Sequence, residues 1–195
     1  MVKKALQKLI NFFSKIHQAK RGFTLTEALV TIFVIGMISS MMIVNWRRSE
    51  SQYQLLRAAQ QIAQDIRKAQ DFALSGKQMF WPPTGQWIVP KSYGIHFSLS
   101  NPTFYFIYGD YIGNEGYQSP EDIEETNAWL EQGVEIYSFG GGNVKDVIFS
   151  IPDGFVSFYP SGNSATITIA RSGYTCPSTN CKDIVVNSTG EISIR

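Results

Sequence analysis

The chain changes its hydrophobic pattern three times. Between Glu27 and Arg47 lie nineteen uncharged residues, Ala28 to Trp46, reading ALVTIFVIGMISSMMIVNW. As a helix this run spans about 28 Å, close to the hydrocarbon thickness of a bilayer. Thr31, Gly36, Ser39, Ser40 and Asn45 form no continuous polar stripe, so a membrane span is preferred to a buried core helix. Beyond Trp46 the pattern becomes amphipathic: Leu55, Ala59, Ile62, Ile66, Ala69 and Ala73 recur at helical spacing. No proline falls between residues 23 and 81, and Ser75-Gly76 supplies a stop before Pro82-Pro83. The expectation is one helix from about residue 24 to 75, about 78 Å long. A coiled coil with a partner chain is the rival for its second half. Small Ala59, Ala63, Ala69 and Ala73 favour close packing against a sheet.

From residue 88 the period becomes two. Tyr93, Ile95, Phe97 and Leu99 alternate with Gly94, His96 and Ser98, and Thr103 to Tyr108 follows a turn at Asn101-Pro102. Further strands are predicted over 133–138, 145–151, 154–159, 164–170, 182–187 and 190–195. Eight short strands separated by Gly, Pro and Asn describe an antiparallel sheet or sandwich. Ser119-Pro120-Glu121-Asp122 reads as the capped start of a short helix reaching about Leu130. The fold class is therefore α+β, a long N-terminal helix packed on antiparallel β-structure.

Charge divides the chain again. The formal net charge is +1, with 17 basic and 16 acidic residues. Lys3, Lys4, Lys8, Lys15, Lys20 and Arg21 precede the apolar run with no acid among them, while the first acidic residue is Glu27 and the other fifteen lie beyond the run. By the positive-inside rule the N-terminus is cytoplasmic and everything after residue 47 faces outward. The acidic balance of that outward part does not describe a nucleic-acid-binding domain. Basic residues followed by an apolar run also begin a secretory signal, yet Ile43-Val44-Asn45-Trp46 offers no small-residue cleavage site. Glu27 sits at the mouth of the run, where an acid needs a partner unless it stays interfacial.

The stretch Lys20-Arg21-Gly22-Phe23-Thr24-Leu25-Thr26-Glu27, followed by the uncharged run, resembles the class III signal of type IV pilins and type II secretion pseudopilins. The resemblance implies that a prepilin peptidase cuts after Gly22 and N-methylates Phe23, and that Glu27 serves assembly with neighbouring subunits. It implies four regions: a cleaved leader (1–22), a membrane and filament-core helix (23–46), its amphipathic continuation (47–76) and an extracytoplasmic β-rich head (77–195). Other pilin subunits and an inner-membrane assembly platform would be the partners. Gly36 and Ser40, one turn apart, would permit close helix approach. The leader is longer than the shortest in that family, and the proline common late in the apolar stretch of major pilins is absent. Tyr93-Gly94-Ile95, Ile151-Pro152-Asp153-Gly154 and Asp183 to Gly190 are similar to the H-type and FimT-like minor branch. Members there often carry arginines after the last glycine; here Gly190 is followed by Glu191-Ile192-Ser193-Ile194-Arg195, which weakens any carry-over of DNA binding.

The remaining chemistry is sparse. Cys176 and Cys181 are the two cysteines; outside the cytoplasmic membrane the pair reads as a disulfide, with free thiols the alternative. Two thiols without a nearby histidine make a poor zinc site. His96 is the one histidine after residue 17, and it reads as a solvated residue on a strand's polar face. Asp110, Asn114 and Glu115 sit among glycines but do not follow a calcium-loop pattern. Gly140-Gly141-Gly142-Asn143 lacks the Lys-Ser/Thr of a phosphate loop. Asn187-Ser188-Thr189 matches a glycosylation sequon inside an expected strand. No catalytic set or cofactor is expected. A minor pilin or pseudopilin is the leading expectation, beside a major pilin, a competence pseudopilin and an unprocessed signal-anchored exodomain.

Overall fold

The computed structural model describes residues 24–113, 116–119, 122–140 and 144–195. It divides into two compact units, Met1–Arg48 and Ser49–Arg195. A single helix, α1 (Leu25–Ser75), supplies the described part of the first unit and the opening of the second. Its end is a Schellman arrangement. Gly76 adopts φ 58°, its amide donates to the Ala73 carbonyl, and the Lys77 amide donates to the Phe72 carbonyl. A residue with a side chain would resist that left-handed turn, so the glycine fixes where the helix stops.

Among the described residues eleven strands follow. β1 (Met79–Trp81) and β2 (Gln86–Ile88) form a hairpin; β3 (Ser92–Phe97) and β4 (Phe104–Asp110) pair next. β5 (Ile123–Trp129), β6 (Val134–Gly140), β7 (Asp146–Ser150) and β8 (Val156–Tyr159) come after them. β9 (Ser164–Arg171), β10 (Cys181–Asn187) and β11 (Ile192–Ile194) complete the chain. Besides the hairpin there are two sheets, ordered β5-β4-β3-β7-β8 and β11-β10-β9-β6, with every pairing antiparallel.

The stripe on α1 is the core face. Leu55, Ala58, Ala59, Ile62, Ile66, Ala69 and Ala73 are all fully buried, in one cluster with residues of both sheets. Alternation on the strands supplies the other side: Tyr93, Ile95 and Phe97 from β3, Tyr105 and Ile107 from β4, Val147 and Phe149 from β7. Ala165, Ile167, Ile169, Ile184 and Val186 come from the second sheet. The alanines let the helix backbone approach the strands, and the branched residues fill what remains. Polar ties flank the seam. The Tyr105 hydroxyl donates to Asp65 Oδ2 at 2.7 Å, and Lys77 pairs with Glu125 while lying over the Phe72 ring.

All eight expected strands are present, and the structure adds three. The short helix expected from Ser119 to Leu130 is instead a turn and strand β5. The Asp122 amide donates to the Gln118 carbonyl, and Asp122 Oδ2 accepts the Gln118 amide at 2.7 Å. Ile123–Trp129 then pairs along β4 from Gly109 to Phe104. Pro120 and Glu121 of that expected cap lie outside the described residues. Side chains of the strand tie it to the rest of the unit: Glu125 pairs with Lys77, and Lys68 Nζ donates to neighbouring Thr126 at 3.4 Å. Tertiary pairing overrides the local cap signal here.

Candidate functional site

At the head of α1, Thr24 is the N-cap. Its carbonyl accepts the Glu27 and Ala28 amides at 3.0 and 3.1 Å, and its Oγ1 accepts the Glu27 amide at 3.3 Å. Thr24-Leu25-Thr26-Glu27 thus has the spacing of a capping box, with the acid in the first turn. That carboxylate faces the positive end of the helix dipole. The sequence carried this signal in the open, as a threonine three residues before a glutamate. Gly22 and Phe23, with Lys20 and Arg21, lie outside the described residues.

Around and beyond Glu27, Leu25–Met42 has a mean hydropathy of 1.8, and none of it is buried among the described residues. Leu25, Ile32 and Met41 are 81%, 71% and 80% exposed. An apolar surface of this extent requires lipid or other helices. Two of its hydroxyls bond back to the helix: Thr31 Oγ1 donates to the Ala28 carbonyl at 2.9 Å, Ser40 Oγ to the Met37 carbonyl at 2.8 Å. A hydroxyl satisfied by its own helix costs little in an apolar medium. Nothing stands within 4 Å of where a Gly36 side chain would begin, leaving an open notch on the same stretch.

The β-rich unit holds the other candidates. His96 is not the solvated histidine expected from sequence. Its side chain is 20% exposed and its Nδ1 lies 2.7 Å from Oδ1 of Asp146, itself only 2% exposed. The register of β3 against β7 sets His96 directly opposite Asp146, fifty residues away and therefore invisible to local pattern. The imidazole packs against Phe106 and Tyr117, with ring centroids at 5.2 and 5.3 Å. Tyr117 also meets Phe106 at 4.7 Å and Tyr108 at 5.3 Å, so part of the β4–β5 connection roofs the sheet face turned away from the main core. Gly94 is the floor of this layer. A β-carbon there would stand 2.4 to 2.5 Å from the Tyr108 ring and hydroxyl.

Burial raises the Tyr108 phenol well above its ordinary range, reinforced by the carboxylates of Asp146, Asp122 and Asp110. Tyr105 is raised by burial and by its bond to Asp65, and Tyr93 by burial and Glu125. Tyr111 is pushed up to about 12, again mostly by burial and then by Glu125. These are structural phenols held neutral.

Asp110, the first residue of the loop considered for calcium, is occupied with its own turn. Oδ1 accepts the amides of Ile112 and Gly113 at 2.9 and 2.6 Å, and Oδ2 accepts Ser92 Oγ at 3.2 Å. Asn114 and Glu115 lie outside the described residues, as do Gly141, Gly142 and Asn143. Among the described residues no three His, Cys, Asp or Glu side chains come close enough to hold a metal ion. Cys176 and Cys181 form a disulfide with Cα atoms 6.0 Å apart, closing the β9–β10 connection.

Comparison with known proteins places the first of these features. The family described as "Prokaryotic N-terminal methylation motif" matches residues 17–43, covering the basic pair, Gly22, Phe23, Glu27 and most of the apolar run. No curated protein matches the chain. Among solved structures, the minor pseudopilin EpsH from the Type 2 Secretion System of Vibrio cholerae is similar, at 14% identity and a TM-score of 0.45. The alignment covers 73% of this chain and 96% of that one.

Proposed function

We propose that this chain is the precursor of a minor pilin or pseudopilin, a structural subunit rather than an enzyme. The observation that carries the reading is the methylation motif over residues 17–43, overlapping a helix whose apolar surface finds no cover among the described residues. In this reading a prepilin peptidase removes residues 1–22 and methylates Phe23. The helix then rests in the cytoplasmic membrane with the β-rich unit outside, until an inner-membrane platform feeds it into a filament. There the lipid-facing surface is exchanged for neighbouring helices, and the notch at Gly36 beside the internally bonded Ser40 admits close approach.

Glu27 has a defined electrostatic role in this scheme. Scission creates an ammonium four residues before it, beside the helix N-terminus, and a carboxylate is stabilised by both. Within one chain it answers its own amine; between chains it answers a neighbour's. An ion pair left half-made in an apolar setting costs several kcal/mol, about 3–5, so the pair enforces register during stacking.

The decisive measurement is the intact mass and N-terminal residue of the protein recovered from membranes containing an active prepilin peptidase. The expected chain starts at N-methylated Phe23. A chain still starting at Met1 under those conditions overturns the proposal and leaves a signal-anchored exodomain. Glu27→Gln is expected to be inserted and processed yet to enter filaments poorly; normal incorporation would remove Glu27 from the assembly argument.

A further inference from the structure

The second sheet carries a groove on the face turned away from the core. Its volume is about 460 Å³, and Tyr137, Ser138, Thr168, Asp183 and Arg195 line it together with the disulfide loop. The sheet register explains the arrangement. Ser138 lies opposite Thr168, Thr168 opposite Asp183, and the Asp183 amide and carbonyl exchange hydrogen bonds with Arg195. Four polar residues therefore form one row across β6, β9 and β10 to the residue that follows β11, about 14 Å long at the usual strand spacing. Thr168 Oγ1 donates to Asp183 Oδ1 at 2.7 Å, which orients the carboxylate along the row. At the rim stand Tyr137, 38% exposed, and Pro177 within the five-residue step from Cys176 to Cys181.

We propose that this groove is a binding site for a neutral saccharide. Thr168 and Asp183 stand on inner strands whose ladder hydrogen bonds run to both neighbours, so the middle of the floor offers no free main-chain edge for an extended peptide. Whatever binds is read by side chains. Those side chains are a carboxylate, two hydroxyls and a guanidinium, the donors and acceptors that vicinal hydroxyl groups require, beside an aromatic ring able to cover the apolar face of a pyranose. Asp183 and Arg195 bring side chains of opposite charge to the row. Its volume falls within the range of small-molecule sites. The disulfide is part of the wall: the Cys176–Cys181 closure holds Pro177 at the rim. Nothing in this site depends on the N-terminal motif, so it stands or falls apart from the filament reading.

The test is a titration of the full-length chain in lipid nanodiscs with maltotriose, lactose and N,N′-diacetylchitobiose, followed by calorimetry and saturation-transfer NMR. The expected result is saturable binding of at least one, weakened at least tenfold by Tyr137→Ala and by Asp183→Asn. Both variants should retain the parent's near-ultraviolet circular dichroism, because Tyr137 is exposed and Asp183 lies on the outer face. Reduction of the disulfide should weaken binding as well. Absence of binding by all three sugars, or binding undiminished by both variants, overturns the proposal. So does saturable binding of a tetralysine or tetraglutamate peptide in the same groove when no sugar binds.

Discussion

Gly94→Ala is the sharpest probe of the outer aromatic layer. The added methyl would stand 2.4 Å from Tyr108 Cζ and 2.5 Å from Cε1 and the hydroxyl, about 1 Å inside ordinary carbon contact. The ring cannot swing away cheaply. Tyr108 is fully buried, with Tyr117 at 5.3 Å and Phe106 at 6.4 Å on its flanks. Overpacking of this kind costs about 1–3 kcal/mol, and the clamped ring puts this case near the upper end. The intrinsic preference of a strand for alanine over glycine returns about 0.5–1 kcal/mol, so a net loss of about 2 kcal/mol is expected. In the Tyr108→Ala background the clash is gone, and the same change at position 94 should become stabilising by about 0.5–1 kcal/mol. The assay is a double-mutant cycle by urea unfolding of the full-length chain in detergent micelles, followed by near-ultraviolet circular dichroism. Equal effects of the alanine in both backgrounds would refute the reasoning.

Three further outcomes are expected. The phenols of Tyr93, Tyr105, Tyr108 and Tyr111 are all raised in the folded chain, so it stays protonated where the unfolded chain has already ionised; urea midpoints should be flat to about pH 9 and fall steadily above about pH 10, and a flat profile to pH 11.5 would contradict this. His96→Ala leaves the buried Asp146 carboxylate without its partner and should cost about 2–3 kcal/mol in the same unfolding assay, against little loss for an exposed control such as Ser161→Ala. Replacing both cysteines by serine removes a short loop closure worth at most about 2 kcal/mol; the larger signal should be faster amide exchange confined to the β9–β10 connection, and uniform acceleration across the core would show that the disulfide acts globally.

The sequence disclosed what is periodic and local. A stripe at 3.6-residue spacing announced the buried face of α1, and alternation announced β3, β4 and most later strands. The β1–β2 hairpin was hidden because three residues are too few to show a period, and its Pro82-Pro83 reads in the sequence as helix punctuation. β5 was hidden more actively: a Ser-Pro-acid start imitates a helix cap, and the register shift at Ile107/Tyr108 breaks the strand's own alternation. The N-terminal candidate site was readable because one continuous segment carries it. His96–Asp146 and the saccharide groove were not, since their residues come from separate strands and meet only through register.

The Thr24 cap bears on what a protease can do to this chain without penalty. Every group in that cap, from the threonine hydroxyl and carbonyl to the Glu27 and Ala28 amides, lies on the C-terminal side of the Gly22–Phe23 bond. Hydrolysis of that bond, as the proposed function requires, would leave these described cap contacts in place, so the trimmed chain would have no costly nucleation step to repeat. In the proposed scheme, maturation and helix initiation would be mechanically independent events, separated by a single residue.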